Sequence, residues 1–302
     1  MHMREMMVVQ RSWSKSINFN MNILITGASS FIGRNLNRIF FEENEHNVYA
    51  KTHEELDVTD KAAVDHFFDT KEIDIVIHCA IKGGKRGTED TFQDFVDNLS
   101  MFNNLLENKD KYKKLINFCS GAAFDRRYDI NDAFSFNLYD KSAIDYYGMS
   151  KAIVARKVLK LDNAINLRLF GCFGEGEEEQ RFIKNSINRS LRGESIHIIE
   201  DKDMDFFHID DVGIVVKEYI EGKLDPIKDI NLVYDKKYSL NQIAILIKEL
   251  TRSDKEIIVD LHGGFNYTGN RGILEGRKSS IKSLDYWLKR EVEIARQKST
   301  DS

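Results

Sequence analysis

Tyr147 and Lys151 stand four residues apart in the segment YGMSK, and this pair could carry out acid–base chemistry at a hydroxyl or ketone group. Positions i and i+4 share one face of a helix, so the phenol and the ammonium group are expected to be neighbours. A free phenol has a pKa of about 10 and is a poor base at neutral pH. Lowering that pKa by about three units requires roughly 4 kcal/mol, which a lysine and a positively charged nicotinamide favour. Tyr147 could then exchange a proton with the substrate during hydride transfer, while Lys151 holds the nicotinamide ribose.

The neighbouring Tyr146 competes for this role. The residue four positions after it is Ser150, which carries no charge, so Tyr147 is the better candidate. The Y-x-x-x-K pattern also occurs by chance on helices, and its interpretation therefore depends on the rest of the chain.

Ser120 is a third candidate for the chemistry. It follows the apolar run Leu115–Cys119, which predicts a strand. Ligands of α/β sheets bind outside the carboxyl ends of the strands, where a serine hydroxyl can polarise a substrate oxygen. The alternative is an ordinary turn serine.

A glycine-containing turn, TGASSFIG, follows the apolar run Asn22–Thr26. The first glycine permits a tight turn, the last lets a helix pack closely on the sheet, and free N–H groups at the helix start bind pyrophosphate. Ser30 takes the place of the middle glycine, so the fit is either looser or uses the hydroxyl as a donor. We predict a dinucleotide-phosphate site; the alternative is a plain strand–helix turn. The residues that would form the site are Gly27, Ser29, Ser30, Phe31, Ile32 and Gly33.

The type of nicotinamide cofactor depends on the end of the second predicted strand. An acidic residue there would favour the 2′-hydroxyl of NAD, but the first acid is Glu54. Lys51, His53 and Arg34 could instead meet a 2′-phosphate. We therefore predict NADP(H) as the preferred cofactor, with NAD(H) as the alternative and a solvated lysine as the simpler interpretation of Lys51.

Strands alternate with helices through the first half of the chain, which predicts an α/β fold with a doubly wound parallel Rossmann sheet. Cys79 and Ala80 end the third predicted strand with small residues, where backbone passes close to a ribose. We expect an NAD(P)-binding domain at 21–170, to which part of 200–230 returns, and a smaller mixed α/β substrate domain at 171–302. Residues 1–20 are predicted to be a poorly ordered extension.

Composition excludes several classes of function. The formal net charge is −5, from 44 basic and 49 acidic residues, and offers no basic face for nucleic acid. The apolar runs are too short to span a bilayer, and the first twenty residues lack a secretory h-region. Three scattered cysteines and dispersed histidines indicate neither disulfides nor a metal site. We expect a cytoplasmic protein.

Five motifs in consistent order between Met21 and Glu221 resemble the extended short-chain dehydrogenase/reductases of the NAD-dependent epimerase/dehydratase family. They are the glycine turn, FCSGAAF around Ser120, the YGMSK pair, LRLFGCFG and DFFHIDDV. The resemblance implies a sugar-nucleotide-modifying enzyme, usually a homodimer joined through the helices that carry Asn98 and Tyr147.

The resemblance also implies site residues. Asp57 resembles the residue that receives the adenine amino group, although an aspartate after a strand is usually a turn or cap residue. The further cofactor contacts that it implies are Val58, Cys79, Ala80, Asn98 and Phe170. The implied substrate contacts are Lys82, Ala122, Phe124, Phe173, Arg181, Phe182, His197 and Met204, of which Phe182 could equally belong to the core.

Departures from the family pattern narrow the chemistry. Sugar 4,6-dehydratases have a T-D-E triplet where this chain has Ser120, Gly121 and Ala122, so no carboxyl group is supplied. GDP-fucose-synthase-like enzymes are similar at 80–85, but they use a cysteine at the position of Ala122 and a later histidine. No histidine lies between His78 and His197 here.

Reduction without epimerisation fits the absence of these carboxyl, cysteine and histidine side chains. We predict a reductase of a 4-keto-6-deoxy sugar nucleotide in deoxysugar biosynthesis for surface polysaccharide. A 4-epimerase, which needs the same serine, tyrosine and lysine, is the alternative, and a non-catalytic dinucleotide-sensing protein is a third hypothesis. Met204 replaces an arginine that often meets the nucleotide phosphates, so either Arg181 or Arg168 compensates or the substrate is presented differently.

Overall fold

The computed structural model describes residues 20–85, 87–134, 138–139, 143–224, 226–274 and 280–300. Of the predicted N-terminal extension, residues 1–19 lie outside these ranges. The strands in chain order are β1 (Asn22–Thr26), β2 (Asn47–Lys51), β3 (Ile75–His78), β4 (Lys114–Ser120), β5 (Ile130–Ala133), β6 (Ala164–Leu169), β7 (Cys172–Phe173), β8 (Ile196–Asp201), β9 (Phe207–His208), β10 (Asp229–Leu232), β11 (Ile257–His262) and β12 (Tyr267–Gly269).

Helices connect most of these strands, and several begin at residues whose side chains cap the first turn. Thr91 and Ser239 each form a capping box at a helix start, and Asp60 and Asp145 accept hydrogen bonds from first-turn N–H groups. The helices are α1 (Phe31–Glu43), α2 (Lys61–Thr70), α3 (Phe92–Glu107), α4 (Tyr146–Val158), α5 (Phe182–Leu191), α6 (Ile209–Ile220), α7 (Leu240–Thr251) and α8 (Leu284–Thr300).

Six of the strands form one parallel sheet in the order β10-β6-β4-β3-β1-β2. The chain runs outward from β1 first to β2 and then, on the other side, to β3 and β4. The strand order therefore reverses between β1 and β3, which opens a crevice at the carboxyl ends of these two strands. The predicted doubly wound α/β sheet is confirmed.

Both faces of this sheet are buried, because alternate strand residues point to opposite sides. Ile23, Ile25 and Ile77 belong to a core cluster with residues of α1 and α6. Leu24 and Val76 belong to a second cluster with residues of α2, α3 and α4. This division fixes which helices can reach the crevice from each side.

The second half of the chain builds a mixed layer beside the sheet. β11 pairs with β8, β12 with β5 and β7 with β9, each pair being parallel. Helices α5, α7 and α8 pack on one another and on this layer. β10 returns to the main sheet beside β6, and α6 packs on α1. The division at residue 170 stays a prediction.

The short strands β5 and β12 were not predicted. They contain only four and three residues, and their pairing brings together positions more than 130 residues apart, as in the bond from Asp132 N–H to Thr268 Oγ1. Such pairing has no local periodic signal.

In the described part of the chain, no helix is both long and apolar enough to cross a membrane.

Candidate active site

The turn after β1 lies in the crevice between β1 and β3 and leaves no room for side chains. Gly27 has a φ of +63°, and a Cβ built there would lie 2.6 Å from the backbone N and Cα of Ala80. A Cβ on Gly33 would lie 2.4 Å from the carbonyl oxygen of Gly27. Both glycines are therefore required by close backbone approach, and Ala80 is the residue that crowds the first of them.

Ser30 caps helix α1. Its Oγ accepts a hydrogen bond of 3.1 Å from the N–H of Gly33, and its own N–H donates to the carbonyl of Gly27. The hydroxyl hydrogen of Ser30 therefore stays available as a donor. The N–H groups of Phe31 and Ile32 belong to the first turn, where no preceding helical carbonyl can accept them. Together these donors form a helix start of the kind that can bind an anion, and its role as a phosphate site stays a prediction.

Asp57, Val58 and Lys51 are the residues predicted to lie on the adenosine side of the crevice. Asp57 Oδ1 accepts hydrogen bonds from the N–H and the hydroxyl of Thr59, at 2.9 and 2.7 Å. Burial opposes ionisation of Asp57, but these two bonds outweigh it and lower the pKa of the carboxyl group. Asp57 is thus a turn-forming residue, and its adenine contact stays a prediction. Val58 is buried.

Lys51 is the last residue of β2, opposite Thr26 of β1, and its carbonyl accepts the N–H of Ala28 in the phosphate turn. This position places a cation at the rim of the crevice next to the turn. No acidic residue lies within β2 itself.

Asn98 joins the loop after β3 to helix α4. Its amide accepts from the N–H of Lys82 and donates to the carbonyl of Lys82 and to Ser150 Oγ, at 2.9, 2.9 and 3.2 Å. Lys82 Nζ pairs with Asp97 at 2.6 Å. The side chains of Asn98 and Lys82 therefore both bind protein groups. The role of Asn98 as a cofactor contact and that of Lys82 as a substrate contact stay predictions. Cys79 beside them is buried.

Helix α4 carries the predicted catalytic pair to the carboxyl end of β4. Lys151 Nζ donates a hydrogen bond of 2.7 Å to the carbonyl of Phe118 and lies 5.8 Å from the centre of the Tyr147 ring. The hydroxyl of Tyr147 lies within hydrogen-bonding reach of Ser120. A Cβ on Gly84 would lie 2.7 Å from the Tyr147 ring, so the glycine loop after β3 covers that ring. The structure thus brings Ser120, Tyr147 and Lys151 together.

Burial sets the protonation of this cluster. It raises the pKa of Tyr147 to about 12, although the hydrogen bond with Ser120 and the positive charges of Arg181 and Arg126 act in the opposite direction. Burial lowers the pKa of Lys151 to about 8. At neutral pH the Tyr147 phenol therefore holds its proton, and Lys151 is an ammonium group in most molecules.

Two residues at the site were not predicted. Tyr267 of β12 lies within hydrogen-bonding reach of Ser120, and its ring packs edge-on against Phe170 with centroids 5.1 Å apart. Arg126 faces Tyr147 and Tyr267 and pairs with Asp145 at 2.9 Å. The segment GFNYTGN around Tyr267 reads as a turn, so no sequence signal pointed to it. The arginine pair after Phe124 was a visible but unused signal.

Several predicted substrate contacts point away from the cleft. Phe173 is fully buried and packs against Phe206 and His208, and Phe124 is buried beneath the guanidinium of Arg168. Both rings are part of the hydrophobic core, and their role as substrate contacts stays a prediction. Ala122 is also buried.

The remaining predicted contacts divide between cleft and surface. Arg181 precedes α5 and acts on Tyr147 electrostatically, and Phe182 stacks against Phe206. Met204 forms a β-bridge with Tyr267. His197 lies on the solvent side of β8, where its Nε2 is hydrogen-bonded to the carboxyl group of Asp260 at 2.8 Å, and no described contact joins it to the cluster.

Arg168 does not compensate for the missing family arginine. Its side chain is fully buried and forms a two-pronged ion pair with Asp229, at 2.6 and 2.8 Å, and a hydrogen bond with Asn231. These contacts link β6 to β10, and the buried guanidinium of Arg168 cannot reach a phosphate. Among the described residues, no three histidine, cysteine, aspartate or glutamate side chains come together as metal ligands.

Comparison with known proteins gives a consistent relationship. Residues 23–226 match the sequence model described as the NAD dependent epimerase/dehydratase family. A search of curated proteins found no match.

Solved structures share the fold at low sequence identity. The GDP-mannoheptose C4 reductase of Campylobacter jejuni with NADP bound is 19% identical, with a TM-score of 0.79, over 92% of this chain and 98% of that one. A UDP-glucose 4-epimerase of Thermotoga maritima is 21% identical (TM-score 0.73; 92% and 99% covered). A GDP-L-fucose synthetase of Naegleria fowleri is 16% identical (TM-score 0.74; 92% and 94% covered).

The crowding at Gly27 gives a first test of the dinucleotide crevice. We expect Gly27→Ala to weaken NADPH binding at least about tenfold, because the new Cβ must push the phosphate turn away from Ala80. Gly193→Ala is the matched control, since Gly193 also has a positive φ, +70°, but has no atom within 4 Å of its Cβ position. Fluorescence titration with NADPH measures both, and equal affinity in the two variants would contradict the assignment of the turn.

Proposed function

Because the chain belongs to the NAD-dependent epimerase/dehydratase family, as its motifs predicted, we propose that it is an NADPH-dependent reductase of a 4-keto-6-deoxy sugar nucleotide. The observation that carries this proposal is the cluster of Ser120, Tyr147 and Lys151 at the carboxyl end of β4, beside the glycine turn. Deoxysugar biosynthesis for surface polysaccharide is the setting in which such a reaction is needed.

The protonation of the cluster suits reduction. A bound reduced nicotinamide supplies the hydride. Tyr147, whose pKa is raised to about 12, holds a proton at neutral pH and can give it to the ketone oxygen. The ammonium of Lys151 and the hydroxyl of Ser120 then stabilise the phenolate and the substrate oxygen.

The residues beside Ser120 favour a reductase over a dehydratase. Elimination of water from a sugar requires an acid–base group next to the serine, and Gly121 and Ala122 supply none. The reductases among structures of the same fold, such as the GDP-mannoheptose C4 reductase, support this preference.

A 4-epimerase is the second candidate. It needs the same three side chains, and a UDP-glucose 4-epimerase is among the structures with this fold. Such an enzyme would retain its cofactor through the reaction and consume no NADPH. A dinucleotide sensor is a weaker candidate, because sensing does not require a phenol placed beside an ammonium group.

The substrate assay separates these functions. We expect NADPH oxidation with at least one member of a panel of 4-keto-6-deoxy sugars carrying GDP, dTDP, UDP or CDP. Tyr147→Phe should lower kcat by about 10²- to 10⁴-fold with unchanged NADPH affinity, since it removes the proton donor alone. Tyr146→Phe, which removes the adjacent hydroxyl, should keep full activity. Interconversion of 4-hydroxy sugar nucleotides without NADPH oxidation would overturn the reductase in favour of the epimerase.

Lys51 is the proposed contact for the 2′-phosphate of NADP(H). Lys51→Ala should raise the KM for NADPH about tenfold, the effect of losing one charge-assisted hydrogen bond, and leave the KM for NADH unchanged. Lys255→Ala, an exposed lysine beside β11, is the control. Parallel losses with both cofactors would refute a role in recognising the 2′-phosphate.

A homodimer is proposed through α3 and α4. Phe92 is 60% exposed and stacks on Phe95, so α3 presents an apolar surface next to the helix that carries Tyr147. Sedimentation velocity should find a dimer that Phe92→Asp converts to monomer, whereas Phe41→Asp, at an 81% exposed position on α1, should leave it intact. A monomeric native chain would exclude this interface.

We place the enzyme in the cytoplasm, where its three buried free cysteines stay reduced.

A further inference from the structure

We infer that Tyr267 is a positioning residue, which orients the Ser120 hydroxyl so that its hydrogen points toward the Tyr147 oxygen. This role rests on the proposed reductase function, and it assigns a catalytic contribution to the second half of the chain.

The place of Tyr267 is fixed by contacts on several sides. Its N–H donates to the carbonyl of Asp203 at 2.8 Å, and its carbonyl accepts the N–H of Asp205 at 3.1 Å. Its ring lies edge-on against Phe170, and a Cβ on Gly121 would lie 2.7 Å from its hydroxyl oxygen. The phenol is therefore held directly against the residue that follows Ser120.

The hydrogen-bonding capacity of Ser120 limits how the two phenols can share it. A serine hydroxyl has one hydrogen and two lone pairs. One lone pair of Ser120 Oγ accepts the N–H of Ala122 at 3.1 Å. One lone pair and one hydrogen remain for Tyr147 and Tyr267, which both lie within reach. Only one of the phenols can donate to the serine, and the other must receive its hydrogen.

The proposed reaction decides which phenol donates. Tyr147 gives its proton to the ketone, and the phenolate that remains can only accept hydrogen bonds. Tyr267, whose hydroxyl lies against Gly121, takes no part in that transfer and is the constant donor, and burial, which raises its pKa, acts in the same direction. Its donation fills the last lone pair of Ser120 and turns the serine hydrogen toward Tyr147, where it stabilises the phenolate formed after proton transfer. Donation in a chain also polarises the serine hydroxyl and strengthens its bond to the phenolate.

The charged and titratable groups that face the two phenols leave this assignment intact. Arg126 keeps its charge through its ion pair with Asp145, and Arg181 acts on Tyr147 from a distance through its charge. Neither contributes a competing hydroxyl to Ser120. The groups that act on Tyr147 or Tyr267 are Lys151, Cys119, Arg126 and Arg181.

The test compares Tyr267→Phe with the native enzyme. The substitution keeps the ring packing on Phe170 and removes only the hydroxyl, so the thermal melting temperature should change little. We expect kcat to fall roughly tenfold, the effect of one hydrogen bond made in the transition state, with unchanged KM for NADPH. Tyr128→Phe, which alters a 55% exposed tyrosine of the loop after β4, should keep full activity.

A double-mutant cycle separates positioning from direct substrate contact. In a Ser120→Ala background, Tyr267→Phe should cause no further loss, because its only route to the reaction has been removed. A full additional loss would overturn the inference in favour of a substrate contact, and an unchanged kcat in the single variant would overturn it altogether.

A readout without substrate keeps this test independent of the proposed reaction. With NADP⁺ bound, the difference in near-ultraviolet absorbance between the native enzyme and Tyr147→Phe should isolate the phenolate titration of Tyr147 from those of the other tyrosines. In Tyr267→Phe its pKa should move upward by up to about one unit, because the serine hydrogen is no longer held toward the phenolate. If no keto sugar is reduced but this pKa moves, the proposed function fails and the positioning role stands. If reduction occurs but the pKa does not move, the positioning role fails.

Discussion

The hydrogen bond from Lys151 Nζ to the carbonyl of Phe118 joins helix α4 to the last residues of β4 at a distance of 2.7 Å. This bond fixes the rotation and height of the helix, because a half-buried ammonium group has few other partners in an apolar layer. Once α4 is held there, Tyr147, one turn earlier, must lie over the end of β4, where Ser120 leaves the strand. The same lysine therefore positions the helix and supplies the charge that the phenol needs.

The crevice beside this cluster follows from the order of the strands. β1 and β3 are neighbours whose following segments diverge to opposite faces, so Gly27 and Ala80 meet backbone to backbone. Close approach at this point brings the phosphate turn and the glycine loop around Gly84 to the same edge. The proposed cofactor turn and the proposed catalytic side chains are thus adjacent because both lie at carboxyl ends of parallel strands.

Several residues differ from the pattern that the family resemblance implies. The residues beside Ser120 are small, and Met204 stands where the resemblance implies an arginine. Arg168 forms a buried ion pair with Asp229. Arg126, Arg181 and Tyr267 are the polar groups that face the catalytic phenol instead. In the proposed reductase, these polar groups would lie where the substrate is recognised, beside the three side chains proposed for the chemistry.

Local sequence determined the elements that repeat with a simple period. Buried parallel strands are continuous apolar runs, and helices follow 3.6-residue periodicity with side-chain caps, so β1, β3, β4, α1, α3 and α4 were predictable with boundaries within a few residues. The glycine turn and the i, i+4 spacing of Tyr147 and Lys151 were equally local. These features also sufficed for the family assignment, which the sequence match over residues 23–226 confirmed.

Tertiary structure decided what depends on contacts between distant positions. No local pattern in the sequence indicates that β5 pairs with β12 or that Phe124 and Phe173 lie in the core. The same is true of the ion pair between Arg168 and Asp229. Sequence order alone likewise cannot place Tyr267 against Ser120, since the two are separated by most of the second half of the chain. Periodicity reports which face of an element is buried, but the partner that buries it is fixed only when the whole chain packs.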